Sequence, residues 1–88
     1  MKEFDIKRFF DSYSKKNRRE RKVFLQALQC QGLRITDIAC YTYPEAPGIK
    51  HVFFYFEGEK EPLPYFMLKK ETLLKIQDLL NENVSKLI

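Results

Sequence analysis

Ile6, Phe9, Phe10 and Tyr13 recur at the i, i+3, i+4, i+7 spacing of an amphipathic helix, and Asp5 stands where a cap would meet its first amides. This predicts a short helix within residues 1–14. A second helix is expected over residues 17–31: Asn17 suits the N-cap, Glu20 stands three positions on in a capping-box arrangement, and Gly32 supplies a left-handed stop. The helical period puts Val23, Phe24, Ala27, Leu28 and Cys30 on one side of it, with Lys15, Arg18, Arg19 and Lys22 on the other. It has a core face and a basic face.

From Leu33 the period falls to two, with a change of phase near Asp37 that predicts a bulge or a bend before Ile38. Pro44 to Gly48 reads as a turn, residues 49–57 as the strongest strand, residues 58–62 as an acidic turn and residues 63–69 as a third strand. Short connections make residues 33–69 an antiparallel meander. Leu73, Ile76, Leu80, Val84 and Leu87 then form one stripe of a closing helix over residues 70–87. The expected fold is a single α+β domain of order α-α-β-β-β-α, with helices packed on one face of a three-stranded sheet.

Hairpins that pair Tyr43 with Ile49 and Glu57 with Leu63 put Tyr41 opposite His51 and Tyr55 opposite Tyr65. The even-numbered face is then dry: Ile38, Cys40, Val52, Phe54, Phe56, Phe66 and Leu68. Helices at 17–31 and 70–87 pack on it through Leu28 and Leu80. The odd-numbered face carries Tyr41, Tyr43, His51, Phe53, Tyr55, Tyr65, Met67 and Lys69. Tyrosine hydroxyls belong at a half-wet surface. Either the helix of residues 1–14 lies across this face, or Tyr41, Tyr43, Tyr55 and Tyr65 meet another molecule, as a stacking platform or a protein interface.

Charge sharpens the picture. Residues 1–34 hold ten Lys and Arg against four Asp and Glu, while residues 35–88 hold six against eight. Lys15, Lys16, Arg18, Arg19, Arg21 and Lys22 crowd into eight positions. Several fall in the first turn of the second helix, where the macrodipole is already positive and each cation costs a few tenths to about 1 kcal/mol. A phosphate or an acidic protein surface would relieve that cost. One continuous helix through the first 31 residues would also remove it, by placing the cluster mid-helix.

Chemistry is sparse. Cys30 and Cys40 are too few and too far apart for a disulfide framework or a metal site beside the lone His51, so two packed, reduced thiols and no metal are expected. On the register above Cys40 and His51 face opposite ways. The chain has no Gly-x-Ser-x-Gly elbow and no glycine-rich phosphate loop, and neither an enzyme nor a cofactor is expected. No run approaches the ~18 apolar residues of a membrane span, and the N-terminus lacks a signal-peptide pattern. The expectation is a cytoplasmic chain without a membrane partner.

Gly48-Ile49-Lys50-His51, with Tyr55 four residues on, is similar to the Gly-Pro-x-His loop and following aromatic of the double-stranded-RNA-binding domain. Lys69-Lys70-Glu71 looks like that family's Lys-Lys-x-Ala-Lys run, and the order α-β-β-β-α over residues 18–86 resembles its topology. The resemblance implies RNA contacts at His51 in a minor groove and at Lys69 and Lys70 on phosphates. Composition and resemblance together predict a small nucleic-acid-binding module, RNA preferred, whose basic helix is its electrostatic footprint. The alternative is a stand-alone protein-binding regulator or inhibitor, of the phage or mobile-element type, that occupies a nucleic-acid enzyme through its Tyr face or basic helix. A homodimer closed through the sheet face is the third expectation.

Overall fold

The computed structural model describes residues 3–86, with side chains described as far as Glu82. Asp5 caps the first helix, α1 (Ile6–Ser14), its carboxylate accepting the Arg8 amide at 3.1 Å. A fresh helix, α2 (Arg18–Cys30), then begins behind a reciprocal cap. Asn17 accepts the Glu20 amide at 2.8 Å, and the Glu20 carboxylate accepts the Asn17 amide at 2.9 Å. This cap satisfies two otherwise free donors, so the chain makes two helices rather than one. Gly32, at φ +76°, turns it towards the sheet.

The sheet is an antiparallel meander in the order β1 (Ile35–Tyr43), β2 (Ala46–Phe56), β3 (Leu63–Pro64). A 3-10 turn (Tyr65–Met67) and the closing helix α3 (Lys70–Lys86) follow. The expected bulge is present: Ile35 faces Phe56 but Asp37 faces Tyr55. The Asp37 carboxylate accepts the Ile38 amide at 2.8 Å, and the Thr36 hydroxyl donates to the Tyr55 carbonyl at 3.2 Å. The extra residue lets Ile35 and Ile38 both point inwards.

Two boundaries differ from the sequence reading. The first turn is Pro44–Glu45 alone, so Tyr43 faces Ala46 rather than Ile49. An irregularity between Tyr41 and Tyr43 absorbs the extra residues of β2 and restores His51 opposite Tyr41. The third strand is two residues long instead of seven. It pairs Leu63 with Phe54 and Pro64 with Phe53, where the expected register set Leu63 opposite Glu57 and Tyr65 opposite Tyr55. Pro62 and Pro64 remove two ladder donors, and the chain coils away at Tyr65. Phe66, expected in the core, is therefore 71% exposed. Met67 is exposed too, while Tyr65 turns inwards against Phe4 at 5.8 Å.

All three helices contribute to one core on the even face. Phe9 and Tyr13 of α1, Phe24 and Leu28 of α2, and Leu73, Ile76 and Leu80 of α3 close over Ile35, Ile38, Val52 and Phe54. Phe9 meets Phe54 at 6.0 Å and Tyr13 meets Phe24 at 6.0 Å, so α1 belongs to this layer and does not cover the odd face. Gln77 ties the N-terminal segment to α3: its Oε1 accepts the Asp5 amide at 2.7 Å and its Nε2 donates to the Glu3 carbonyl at 3.0 Å.

Val23 and Cys30, placed on the inner side of α2 by the sequence reading, are exposed. The core face centres on Phe24 and Leu28. At 3.6 residues per turn Leu25 and Ala27 flank that centre at about 80°, whereas Val23 and Cys30 lie about 120° or more away. Of the α3 stripe, Val84 and Leu87 lie outside the described side chains.

Candidate nucleic-acid interface

α2 carries its cations away from the sheet, and its flank meets the bulged start of β1 in an open groove of about 690 Å³. Arg18, Arg21 and Lys22 line it, with Tyr13, Leu25, Thr36, Asp37 and Ile38. Three cations thus face one carboxylate, already engaged by the Ile38 amide. The Arg21 guanidinium lies 5.3 Å from the centroid of the Tyr13 ring, and its Nη2 donates to the Ser14 carbonyl at 3.3 Å. It is a fixed cation. Arg18 and Lys22, one turn apart and exposed, make no ion pair with a described residue. The one acid of the first turn, Glu20, is held in the capping box.

Lys15 and Arg19 are exposed on the same stretch of chain but do not line the groove. Lys16 differs from the rest of the cluster: it is only 7% exposed, at the α1–α2 junction, with its amide bonded to the Tyr13 carbonyl at 3.1 Å. Tertiary packing thus removes one of the six cations from the exposed footprint.

Tyr13 is buried yet reaches the groove, and its hydroxyl makes no hydrogen bond among the described residues. Desolvation pushes its pKa up to about 12, helped by the Asp37 and Cys40 charges and opposed by Arg21. Desolvation likewise raises Cys40 to about 12 against the pull of Arg21, so this thiol is protonated at neutral pH and is no nucleophile. Both cysteines are free; Cys40 is half-buried as expected, but Cys30 is exposed.

These shifts carry a sign. Folding favours the protonated forms of Cys40 and Tyr13, so their contribution is complete below the ordinary values of about 9 and 10 and is lost as pH climbs towards 12. Urea unfolding at pH 8 to 12 should show stability falling across that window. Tyr13→Phe should flatten the decline above pH 10, and an alkaline limb identical in the variant would refute the assignment to Tyr13.

The opposite face of the sheet bears the other candidate residues. Tyr41 stacks on His51 at 5.0 Å and on Phe53 at 5.8 Å, with planes within 12° and 4°, and Tyr43 stands edge-on to Tyr41 and His51. Desolvation, then hydrogen bonding with Tyr43, raises the pKa of Tyr41. Tyr41, Tyr43 and Tyr55 remain exposed, whereas Tyr65 has left this face for the α1 side. His51 sits in mid-strand rather than in a loop, and the sheet separates it from α2. Lys69 and Lys70 are exposed at the start of α3, where the Lys69 carbonyl accepts the Leu73 amide at 3.1 Å.

The expected site residues therefore divide among the groove, the aromatic sheet face and the N-terminus of α3. Sequence reasoning missed the groove wall made by Tyr13, Leu25 and Thr36, because each belongs to a helix stripe or a strand until the elements are brought together. The bulge at Asp37 is the one local sign of it. Among the described residues no helix is long and apolar enough to cross a membrane. Comparison with protein-family models, curated proteins and solved structures gives no match.

Proposed function

We propose that this chain is a small non-catalytic nucleic-acid-binding module, RNA preferred, that seats a phosphate backbone along the groove between α2 and β1. The observation that carries the reading is the set of uncompensated cations there: Arg18, Arg21 and Lys22 against a single carboxylate that is already hydrogen-bonded. Phosphate oxygens would pair with Arg18 and Lys22, accept from the Tyr13 hydroxyl and meet the fixed guanidinium of Arg21. The groove offers no exposed ring for base stacking, which favours recognition of a backbone. The preference for RNA rests on the resemblance of the α-β-β-β-α order, and of Gly48 to His51 and Lys69 to Glu71, to the double-stranded-RNA-binding domain. On that resemblance Lys69 and Lys70 are further contacts, whereas His51, the third residue it implies, stands on the opposite face of the sheet from the groove.

The test is binding to an RNA duplex of about 16 base pairs, the span such a domain covers, measured at several salt concentrations. Affinity should fall steeply with salt, and reversing groove charges should flatten the slope. Affinity indifferent to salt overturns the proposal.

A second reading has its own observation: α1 leaves the Tyr41, Tyr43 and Tyr55 face open, and Tyr41 and Tyr43 gather there with His51 and Phe53 in a cluster of rings. This suits a protein partner, as in a stand-alone regulator of a nucleic-acid enzyme, or a second copy of the chain. Replacing Tyr41, Tyr43 and Tyr55 together by Ala should leave duplex affinity within about twofold under the first reading, because ring contacts are spared there. Under the second, one or two of these tyrosines are hot spots worth about 2 kcal/mol or more towards the protein partner.

A further inference from the structure

β2 is eleven residues long and β3 two. Because β3 reaches only Phe53 and Phe54, the backbone of β2 from Ala46 to Val52 has no strand on that side among the described residues. An open edge of this kind is a template for another strand. Tyr65 leaves the ladder where β3 would have continued, and a cleft of about 530 Å³ remains between Gly48, Ile49 and Lys50 of β2, Tyr65, and Ile6 and Lys7 of α1. The two charged side chains in that lining, Lys7 and Lys50, are both cations. Lys50 is held in place, its Nζ 4.8 Å from the centroid of the Phe10 ring and 3.5 Å from the Pro47 carbonyl. Ile49, 57% exposed, adds an apolar side chain to the rim, and Phe66 stands edge-on to Tyr65 at 5.6 Å.

We propose that the open edge of β2 binds an extended acidic segment of a partner protein, added as a strand beside Ala46 to Val52. Main-chain hydrogen bonds would hold the segment, and side-chain alternation sets its pattern. A residue opposite Lys50 shares its face and meets Lys7 as well, so a carboxylate belongs there. The residues on either side of it point to the other face, where Ile49 and His51 favour apolar groups. The occupant therefore alternates acidic and apolar positions.

Charge and backbone argue against the other occupants. A second copy paired edge to edge would bring the same lysines together, and like charges on an edge are a device that prevents self-pairing. A nucleic-acid strand would use the lysines but not the backbone edge or Ile49. The inference is independent of the α2 groove, which lies beside β1.

The test titrates the ¹⁵N-labelled full chain with a blocked seven-residue peptide of alternating valine and glutamate. Controls are the valine–lysine peptide and a valine–glutamate peptide with alternate backbone nitrogens methylated. Shifted amides with slowed exchange are expected within residues 46–52 for the first peptide only. Lys50→Glu should weaken it by about tenfold or more, since like charges then face each other. Lys7→Glu, on the exposed side of α1, tests the same charge should the first variant unfold. Arg18→Glu should leave peptide affinity unchanged while lowering that for RNA. Equal binding of the lysine or methylated peptide, shifts centred on α2, or an oligouridylate that displaces the peptide from these amides would overturn the proposal.

Discussion

Truncating Phe54 to Ala is expected to cost about 3–5 kcal/mol of unfolding free energy, the range for a large buried aromatic. Phe54 is fully buried on the central strand, faces Ile38 on one side and Leu63 on the other, and touches Phe9 across the core. Its removal opens a cavity in the core where all three helices meet the sheet. A domain of this length has a total stability of roughly 4–13 kcal/mol, so the variant should lie near the unfolding threshold. Phe66→Ala, two residues beyond the last strand, should change stability by no more than about 0.5 kcal/mol, because that ring stands in solvent. Urea titration of both proteins decides the matter. Equal midpoints for the two variants would invalidate the core described above.

Reversing the two free cations of the groove, Arg18→Glu with Lys22→Glu, is expected to reduce affinity for an RNA duplex at 0.15 M salt by about 100-fold or more, since two phosphate contacts become repulsions. The slope of log K against log salt should fall by about 1.8, with about 0.9 from each phosphate no longer neutralised. The fold should survive. Glutamate at the first position of α2 suits the positive end of the helix dipole, a gain of a few tenths of a kcal/mol. Repulsion between the two new carboxylates, four residues apart, takes back a similar amount. Fluorescence anisotropy over a salt series, beside a thermal melt of the same sample, separates binding from folding. Unchanged affinity in a folded double variant would rule out the groove as the nucleic-acid seat, whatever happens at the β2 edge.

The aromatic face shows how far parity alone reaches. Tyr41 opposite His51 is legible from alternation on either side of the turn, and it survives although the turn is shorter than its composition suggests. The irregularity between Tyr41 and Tyr43 absorbs the difference, because a strand with one buried face accepts only registers that keep Val52 and Phe54 inside. Tyr65 had no such restraint. Its strand depended on ladder bonds that Pro62 and Pro64 were unable to donate, and the ring found Phe4 instead.

What the sequence by itself determined is the local architecture: Asp5 and Asn17 start helices, Gly32 ends one, a bulge interrupts β1 at Asp37, and a single apolar stripe carries Leu73, Ile76 and Leu80. Caps, turns and periodicity act over a few residues, and the side chains that decide them are neighbours in the chain. Tertiary structure alone decided which sheet face α1 covers, how α2 is rotated, where β3 stops and that Lys16 is buried while Arg18 and Lys22 are free. Each of these is a competition between surfaces distant in sequence for the same apolar area. Phe9 and Tyr13 gained more by joining Phe54 and Phe24 than by lying over a face whose tyrosine hydroxyls are better left in water.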